Sequence, residues 1–197
     1  KQAPWGHTVA DNPALGLRRA RAGTTLLLAL PGSTYMYQGE ELGLPEVLEI
    51  PDDARQDPTF YRSPGVDVGR DGCRVPLPWM AQAPSFGFGP DGSSVSHLPQ
   101  PGWFEEFAVD RQDGTEDSTL ELYRRALALR HRLQGPEEIQ WLDSPAGVLA
   151  FERPGGWVCV SNFAAAPVEL PEGELLLASA PLEDGKLPAA TTAWLRR

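Results

Sequence analysis

The sequence predicts an α/β fold that passes into a small antiparallel β domain, and three observations lead there. A helical segment over residues 13–30 crosses the two-residue break Pro31-Gly32 into the β-rich run 33–37, which is the αβ step of an α/β fold. A second helical segment, from about 118 to 133, closes a long stretch that has no period of its own. Beyond residue 139 the apolar residues recur every second position, with Pro- and Gly-containing turns between the runs. One parallel strand cannot make a sheet, so the neighbours of 33–37 are expected upstream, on residues this chain does not contain.

Each element has its own signal. The first helix opens at Asp11 or Asn12, either of which is a good N-cap, with Pro13 suited to the first helical position. Leu15, Ala22, Leu26 and Leu30 recur at helical spacing and predict its buried face, while Arg18, Arg19 and Arg21 read as a solvated strip. Ser33-Thr34-Tyr35-Met36-Tyr37 then reads as a buried strand. From about Gln38 to Asp117 no long amphipathic period survives, and aromatics such as Phe60, Tyr61, Trp79, Trp103, Phe104 and Phe107 are too many for a segment that never packs. Such a stretch is expected to shape a site.

Ser118-Thr119-Leu120-Glu121 is a capping box, and Leu122, Ala126, Leu129 and Leu133 form the apolar stripe of the helix it opens. Gly135-Pro136 ends that helix. Strands are predicted at 140–142, 148–153, 157–163, 168–170, 174–178 and 191–195.

Composition narrows the function. The chain has 197 residues, 21.4 kDa and 41% hydrophobic residues, enough for one or two packed domains. Its 17 Lys+Arg against 27 Asp+Glu give a net charge of −10, which argues against nucleic acid and anionic membrane as partners. With 20 glycines and 20 prolines it is no simple helical bundle. Cys73 and Cys159 make no disulfide framework; two buried thiols in a reduced, cytoplasmic setting are the simpler reading, with one bridge the alternative. No apolar run reaches the ~20 residues that span a bilayer. No signal peptide is visible, but Lys1 is not an initiator methionine and the start looks cut.

Two constellations could carry chemistry. Glu40-Glu41 follows the 33–37 strand, where an α/β fold places its site, so the pair could act as acid and base. Adjacent side chains point apart, however, and accepting hydrogen bonds at the strand-to-loop turn is the simpler role. In Arg70-Asp71-Gly72-Cys73-Arg74, two arginines four apart precede the rigid Val75-Pro76-Leu77-Pro78-Trp79. Guanidinium forks suit carboxylates or vicinal sugar hydroxyls, although on composition alone a loop salt bridge to Asp71 or Asp67 is the simpler reading. His7, His97 and His131 are scattered and neither cysteine belongs to a C-x-x-C pair, so no metal is expected. No G-x-G-x-x-G or P-loop pattern calls for a nucleotide cofactor, and none is expected.

The run from Leu30 to Gly43, Leu-Pro-Gly-Ser-Thr-Tyr-Met-Tyr-Gln-Gly-Glu-Glu-Leu-Gly, resembles the eighth-strand motif of the α-amylase superfamily, glycoside hydrolase family 13. That motif is of the G-T-P-Y-x-Y-Q-G-E-E-x-G type, and Ser33-Thr34 stands here for the commoner Thr-Pro. Gly69 to Trp79 is similar to the R-D-x-x-R-x-P-x-x-W loop of the α-glucosidase and oligo-1,6-glucosidase branch. Gln56-Asp57-Pro58-Thr59-Phe60-Tyr61-Arg62 resembles actinobacterial α-glucosidases in particular, and Leu98–Pro101 and Leu122–Arg130 continue the match.

The resemblance implies the C-terminal end of a (β/α)8 TIM barrel followed by a small antiparallel β-sandwich domain. Residues 1–134 would supply the seventh helix, eighth strand, long active-site loop and eighth helix, and 135–197 the β domain. It implies a retaining α-glucosidase that removes terminal α-linked glucose from maltose-type oligosaccharides or sucrose. The family's catalytic Asp, Glu and Asp have no matching positions here and would lie before Lys1, so no catalytic residue is assigned and this chain alone would be inactive. Its calcium loop is likewise without a match. Arg70 takes the position that reaches the terminal glucose in the −1 subsite, and Arg74 that of its second-shell or +1-side partner.

The expected partners are an α-glucoside and the N-terminal remainder of the same enzyme. Two alternatives remain at this point. One is a transglycosylating relative of the sucrose isomerase or trehalose synthase type. The other is a non-catalytic amylase-like scaffold, which the intact arginine loop disfavours and which an upstream N-H-D triplet would discriminate.

Overall fold

Asn12 opens the first helix, α1 (Pro13–Ala29): its Oδ1 accepts the Leu15 backbone N–H at 2.9 Å, and Pro13 occupies the first turn without wasting a donor. The computed structural model describes residues 12–63, 66–89 and 95–197; the alternative cap Asp11, and His7, lie outside them. Ala22, Thr25, Leu28 and Ala29 form the buried face of α1. Of the expected stripe Ala22 is buried, but Leu15 is only half-buried and Leu26 and Leu30 pack at the margin. Thr25 can be buried because its hydroxyl donates to the Arg21 carbonyl at 2.8 Å.

The arginine strip also needs correcting. Arg19 is exposed, but Arg21 donates to the Ser179 carbonyl (3.0 Å), the Asp117 carbonyl (2.9 Å) and the Thr119 hydroxyl (3.1 Å). Burial lowers its pKa, so the guanidinium is a structural tie. Arg18 faces Glu183 at 3.5 Å.

A second long helix, α5 (Thr119–Arg132), begins as the capping box requires, with the Ser118 hydroxyl accepting from the Glu121 N–H at 3.1 Å. It buries Leu122, Ala126 and Leu129 as expected, with Tyr123 added, whose hydroxyl lies 2.7 Å from that of Thr24. Five strands follow: β1 (Gln140–Trp141), β2 (Val148–Arg153), β3 (Trp157–Asn162), β4 (Glu174–Ala178) and β5 (Thr191–Arg196). They form one antiparallel sheet in the order β1-β2-β3-β5-β4, with Cys159 opposite Phe151 on one side and Trp194 on the other. The predicted run 168–170 forms only an isolated bridge, Val168 with Leu187.

Every residue of β3 is buried because both faces of the sheet are covered. One face sets Phe151, Trp157, Cys159 and Trp194 against Leu28, Ala29, Leu122, Ala126 and Leu129 of the two helices. The other carries Val158, Val160, Ala193 and Leu195 beneath Leu187, Val168, Leu170 and Leu182 from the connecting loops. The expected sandwich is therefore, among the described residues, one sheet with helices on one side and loop residues on the other. Helices with an apolar stripe and loops rich in Leu and Val cover the sheet without a second one.

The run Ser33–Tyr37, expected as a buried strand with its neighbours upstream of this chain, is neither a strand nor buried. Tyr35 is 93% exposed, with Met36 and Tyr37 half-exposed. A strand needs a ladder, and no described segment lies alongside to supply one.

By compactness the chain forms two units, residues 37–115 and residues 12–36 with 116–197. Among its described residues the first holds no sheet strand; it is built from short helices, among them α2 (Pro58–Arg62), α3 (Phe104–Phe107) and α4 (Val109–Gln112). Val47, Ile50, Val75, Leu98 and Phe104 make its core, so the aperiodic stretch packs as its aromatics predict. Among the described residues no helix is long and apolar enough to cross a membrane.

Candidate functional site

Within the 37–115 unit, Glu40 and Glu41 settle into the structural role. Glu40 accepts the Tyr37 N–H at 3.0 Å and Glu41 the Gly39 N–H at 2.7 Å, so both carboxylates hold the turn after residue 37. Gly39 itself sits at φ 94°, which a side chain would resist.

The arginine loop is built on two buried carboxylates that hold each other's segment. Asp71 is 2% exposed and its Oδ2 accepts the backbone N–H groups of Gln56 (2.8 Å) and Asp57 (2.9 Å). Asp57, 6% exposed, returns the contact: its Oδ2 accepts the Arg70 N–H at 2.8 Å and the Arg74 guanidinium at 3.0 Å. Its Oδ1 caps α2 through the Thr59 N–H at 2.9 Å. The N–H groups of Thr59 and Arg70, then the Thr59 hydroxyl and the Arg74 charge, lower its pKa to about 2, against burial, which acts the other way. The carboxylate is therefore ionised at any ordinary pH.

Glycines make this approach possible. A Cβ on Gly69, at φ +70°, would lie 2.6 Å from Asp57 Cβ and Cγ. A Cβ on Gly72 would lie 2.4 Å from the Val47 carbonyl oxygen, while the Gly72 carbonyl accepts the Val47 N–H at 3.1 Å. Asp67 holds the approach to Gly69, accepting its N–H at 3.0 Å. Below the loop, Arg55 is 7% exposed, lies over the Phe60 ring at 5.2 Å and donates to the carbonyls of Val68 (3.2 Å) and Leu48 (3.4 Å).

Three arginines thus play three parts. Arg55 is structural, and Arg74 is tied through one nitrogen to Asp57 with 44% of its side chain exposed. Arg70 is exposed, and no described residue accepts from its guanidinium. The salt bridge expected at Asp71 or Asp67 forms instead at Asp57, whose Oδ2 lies 3.0 Å from the Arg74 guanidinium, while Asp71 and Asp67 accept backbone N–H groups. The signal for Asp57 was Asp-Pro-Thr, an N-cap followed by a first-turn proline. An open cavity of about 550 Å³ beside Trp103, Glu106 and Arg111 includes neither Arg70 nor Arg74.

Cys73 is half-buried and free, its Sγ 3.2 Å from the Arg70 carbonyl and 4.0 Å from the Tyr37 hydroxyl. Cys159 is free and buried, and burial pushes its pKa well above the usual thiol range.

Comparison with known proteins gives these features a context. Residues 6–135 match the family described as "Alpha amylase, catalytic domain". The chain is 34% identical over 178 residues to a "Probable alpha-glucosidase" of Rhizobium meliloti, covering 85% of this chain and 30% of that protein. It is 31% identical over 113 residues to the trehalose synthase/amylase TreS of Mycobacterium tuberculosis, covering 55% of this chain and 16% of TreS. Among solved structures, the α-glucosyl transfer enzyme XgtA aligns with a TM-score of 0.71 and 32% identity, over 95% of this chain and 37% of XgtA. The chain therefore spans about a third or less of the length of each of these relatives.

Proposed function

This chain belongs to the α-amylase family, and from that premise we propose that it is the C-terminal part of a retaining α-glucosidase. The substrates would be maltose-type oligosaccharides or sucrose, from which the enzyme, working in the cytoplasm, removes terminal α-linked glucose. Residues 1–134 would form the end of the catalytic barrel and 135–197 the β domain. The nucleophile, the acid/base and the second Asp would come from preceding residues of the same enzyme, so the 197 residues alone would not turn over substrate.

One observation supports the reading above the others: the Arg70 guanidinium has no acceptor among the described residues, on a loop whose main chain is held by the neighbouring carboxylates of Asp57 and Asp71. A planar fork held this way can donate to two adjacent hydroxyls of a terminal glucose, or to a carboxylate that closes the pocket behind it. Arg74 would present its remaining nitrogens on the +1 side. Likeness to an α-glucosidase at 34% identity supports the substrate class.

The test is Arg70→Ala and Arg70→Lys in the full-length polypeptide, assayed on an aryl α-glucoside and on maltose. Arg70→Ala should lose about 30- to 1,000-fold in kcat/KM, roughly 2–4 kcal/mol, with little change in Tm. Arg70→Lys should also lose activity, because the charge stays and the fork does not. Wild-type kcat/KM for both variants on both substrates would refute the role.

A second reading is transfer of the glucosyl unit to a sugar rather than to water. The likenesses to XgtA and to TreS favour it. Product analysis with sucrose and with maltose separates the two: free glucose alone marks hydrolysis, a new disaccharide marks transfer.

A further inference from the structure

We propose that Asp57 is a positioning residue for the sugar-binding arginine, its carboxylate fixing where Arg70 presents its fork; this rests on the reading of Arg70 given above. A single oxygen, Oδ2, accepts both the Arg70 backbone N–H (2.8 Å) and the Arg74 guanidinium (3.0 Å). It therefore holds both ends of the Arg70–Arg74 turn from one point. The other oxygen is fixed on the Thr59 N–H, and the Asp57 backbone N–H is fixed on Asp71 Oδ2. The carboxylate cannot swing without breaking contacts on two segments of chain.

Three facts separate this from an ordinary loop salt bridge. Asp57 is buried and carries four hydrogen-bond links to residues 59, 70, 71 and 74, where an exposed ion pair would carry one and be worth little. Gly69 lacks the Cβ that would push the carboxylate away, so the backbone itself is shaped to admit it. The contact to Arg70 is made to the main chain, leaving the guanidinium free for a ligand. Asp57 thus does not touch the sugar in this account; it acts through Arg70. Displacement of a substrate-holding group by about 1 Å can cost on the order of a hundredfold in rate, which is the scale at stake.

The experiment is a double-mutant cycle in the full-length polypeptide, using kcat/KM on an aryl α-glucoside, with Tm measured on every variant. Asp57→Ala is expected to lose about 10- to 100-fold alone. Combined with Arg70→Ala, it should lose no more than about threefold beyond Arg70→Ala itself, since there is no fork left to place. Asp57→Asn keeps the volume and one acceptor oxygen, so it should fold normally and fall between wild type and Asp57→Ala; it carries the same cycle if Asp57→Ala does not fold. Losses that multiply in the double variant, or wild-type activity of Asp57→Asn and Asp57→Ala, would overturn the proposal while leaving the role of Arg70 intact. Wild-type activity of Arg70→Ala would instead remove the reading beneath it, and the two failures are told apart by that single variant.

Discussion

Arg130, in the last turn of α5, donates to the Leu30 carbonyl at 2.8 Å, one residue past the end of α1. The same guanidinium reaches the carbonyls of Leu28 and of Gly32, the latter at 2.6 Å. Helix ends leave carbonyls without partners, and one cation from a neighbouring helix here answers that of Leu28 together with two just past the helix. Arg130 therefore ties the last turn of α5 to the C-terminal end of α1.

Arg130→Ala is expected to destabilise the unit of residues 12–36 and 116–197 by roughly 2–3 kcal/mol, because the carbonyls it serves lose a charged donor. Arg130→Lys should recover less than half of that, since a single ammonium nitrogen cannot span carbonyls that Arg130 reaches from two separate nitrogens. Denaturant midpoints compared at constant m-value check both.

Much of this was legible in the sequence, and the misses share a cause. The caps at Asn12 and Ser118, the stripe of α5 and strands β2 and β4 follow from local rules: a short polar side chain before a helix, a period of 3.6, a period of two. Arg21 was misplaced because its acceptors are the carbonyls of Asp117 and Ser179, about a hundred residues or more away, and no local pattern encodes them. The same holds for the Asp57–Arg74 pair, which joins residues 17 apart although Asp71 and Asp67 lie closer to Arg74 in sequence. Residues 33–37 have strand composition, but composition does not provide a ladder partner.

Gly72→Ala should disrupt the arginine loop more than Gly69→Ala does. The added methyl at 72 meets a backbone carbonyl oxygen at 2.4 Å, which no rotamer change relieves. At 69 it meets the Asp57 side chain at 2.6 Å and a left-handed backbone, at a cost of about 1–2 kcal/mol for the backbone alone. Hydrogen exchange at the Arg70 and Val47 amides reports each effect separately: Gly69→Ala should speed Arg70, and Gly72→Ala should speed Val47 first.

Acid should release the loop late. A group whose folded pKa lies below its unfolded value stabilises the fold above the unfolded pKa and loses that contribution as pH falls through the folded one. Asp57 stands at about 2 against an ordinary value of 3.8, so its contribution is complete above about pH 4 and fades towards pH 2. Asp57→Asn should flatten the pH dependence of stability between pH 4 and pH 2; an unchanged slope there would show that other carboxylates carry it.

The two thiols should differ sharply in reactivity. Cys73 is half-buried beside the Arg70 carbonyl, and Cys159 is fully buried between Phe151 and Trp194 with its ionisation suppressed by burial. A thiol reagent should label one cysteine in the native protein and a second only on unfolding, with mass spectrometry placing the first label on Cys73.

The contacts between α1 and β5 bear on how this protein is made. The Trp194 indole N–H donates to the Thr25 carbonyl at 3.1 Å and the Thr192 hydroxyl to the Ala22 carbonyl at 2.9 Å, across 169 and 170 residues of chain. At translation rates of about 5–20 residues per second, α1 waits on the order of 10–30 s before β5 leaves the ribosome. Through that interval Leu28 and Ala29 lack Trp194 as part of their cover, so the nascent helix is a natural client for a chaperone that binds short apolar segments. A stop codon just before Thr191 would leave that part of the cover permanently missing, and the truncated product would be marked for degradation by the bared part of its first helix as well as by its missing end.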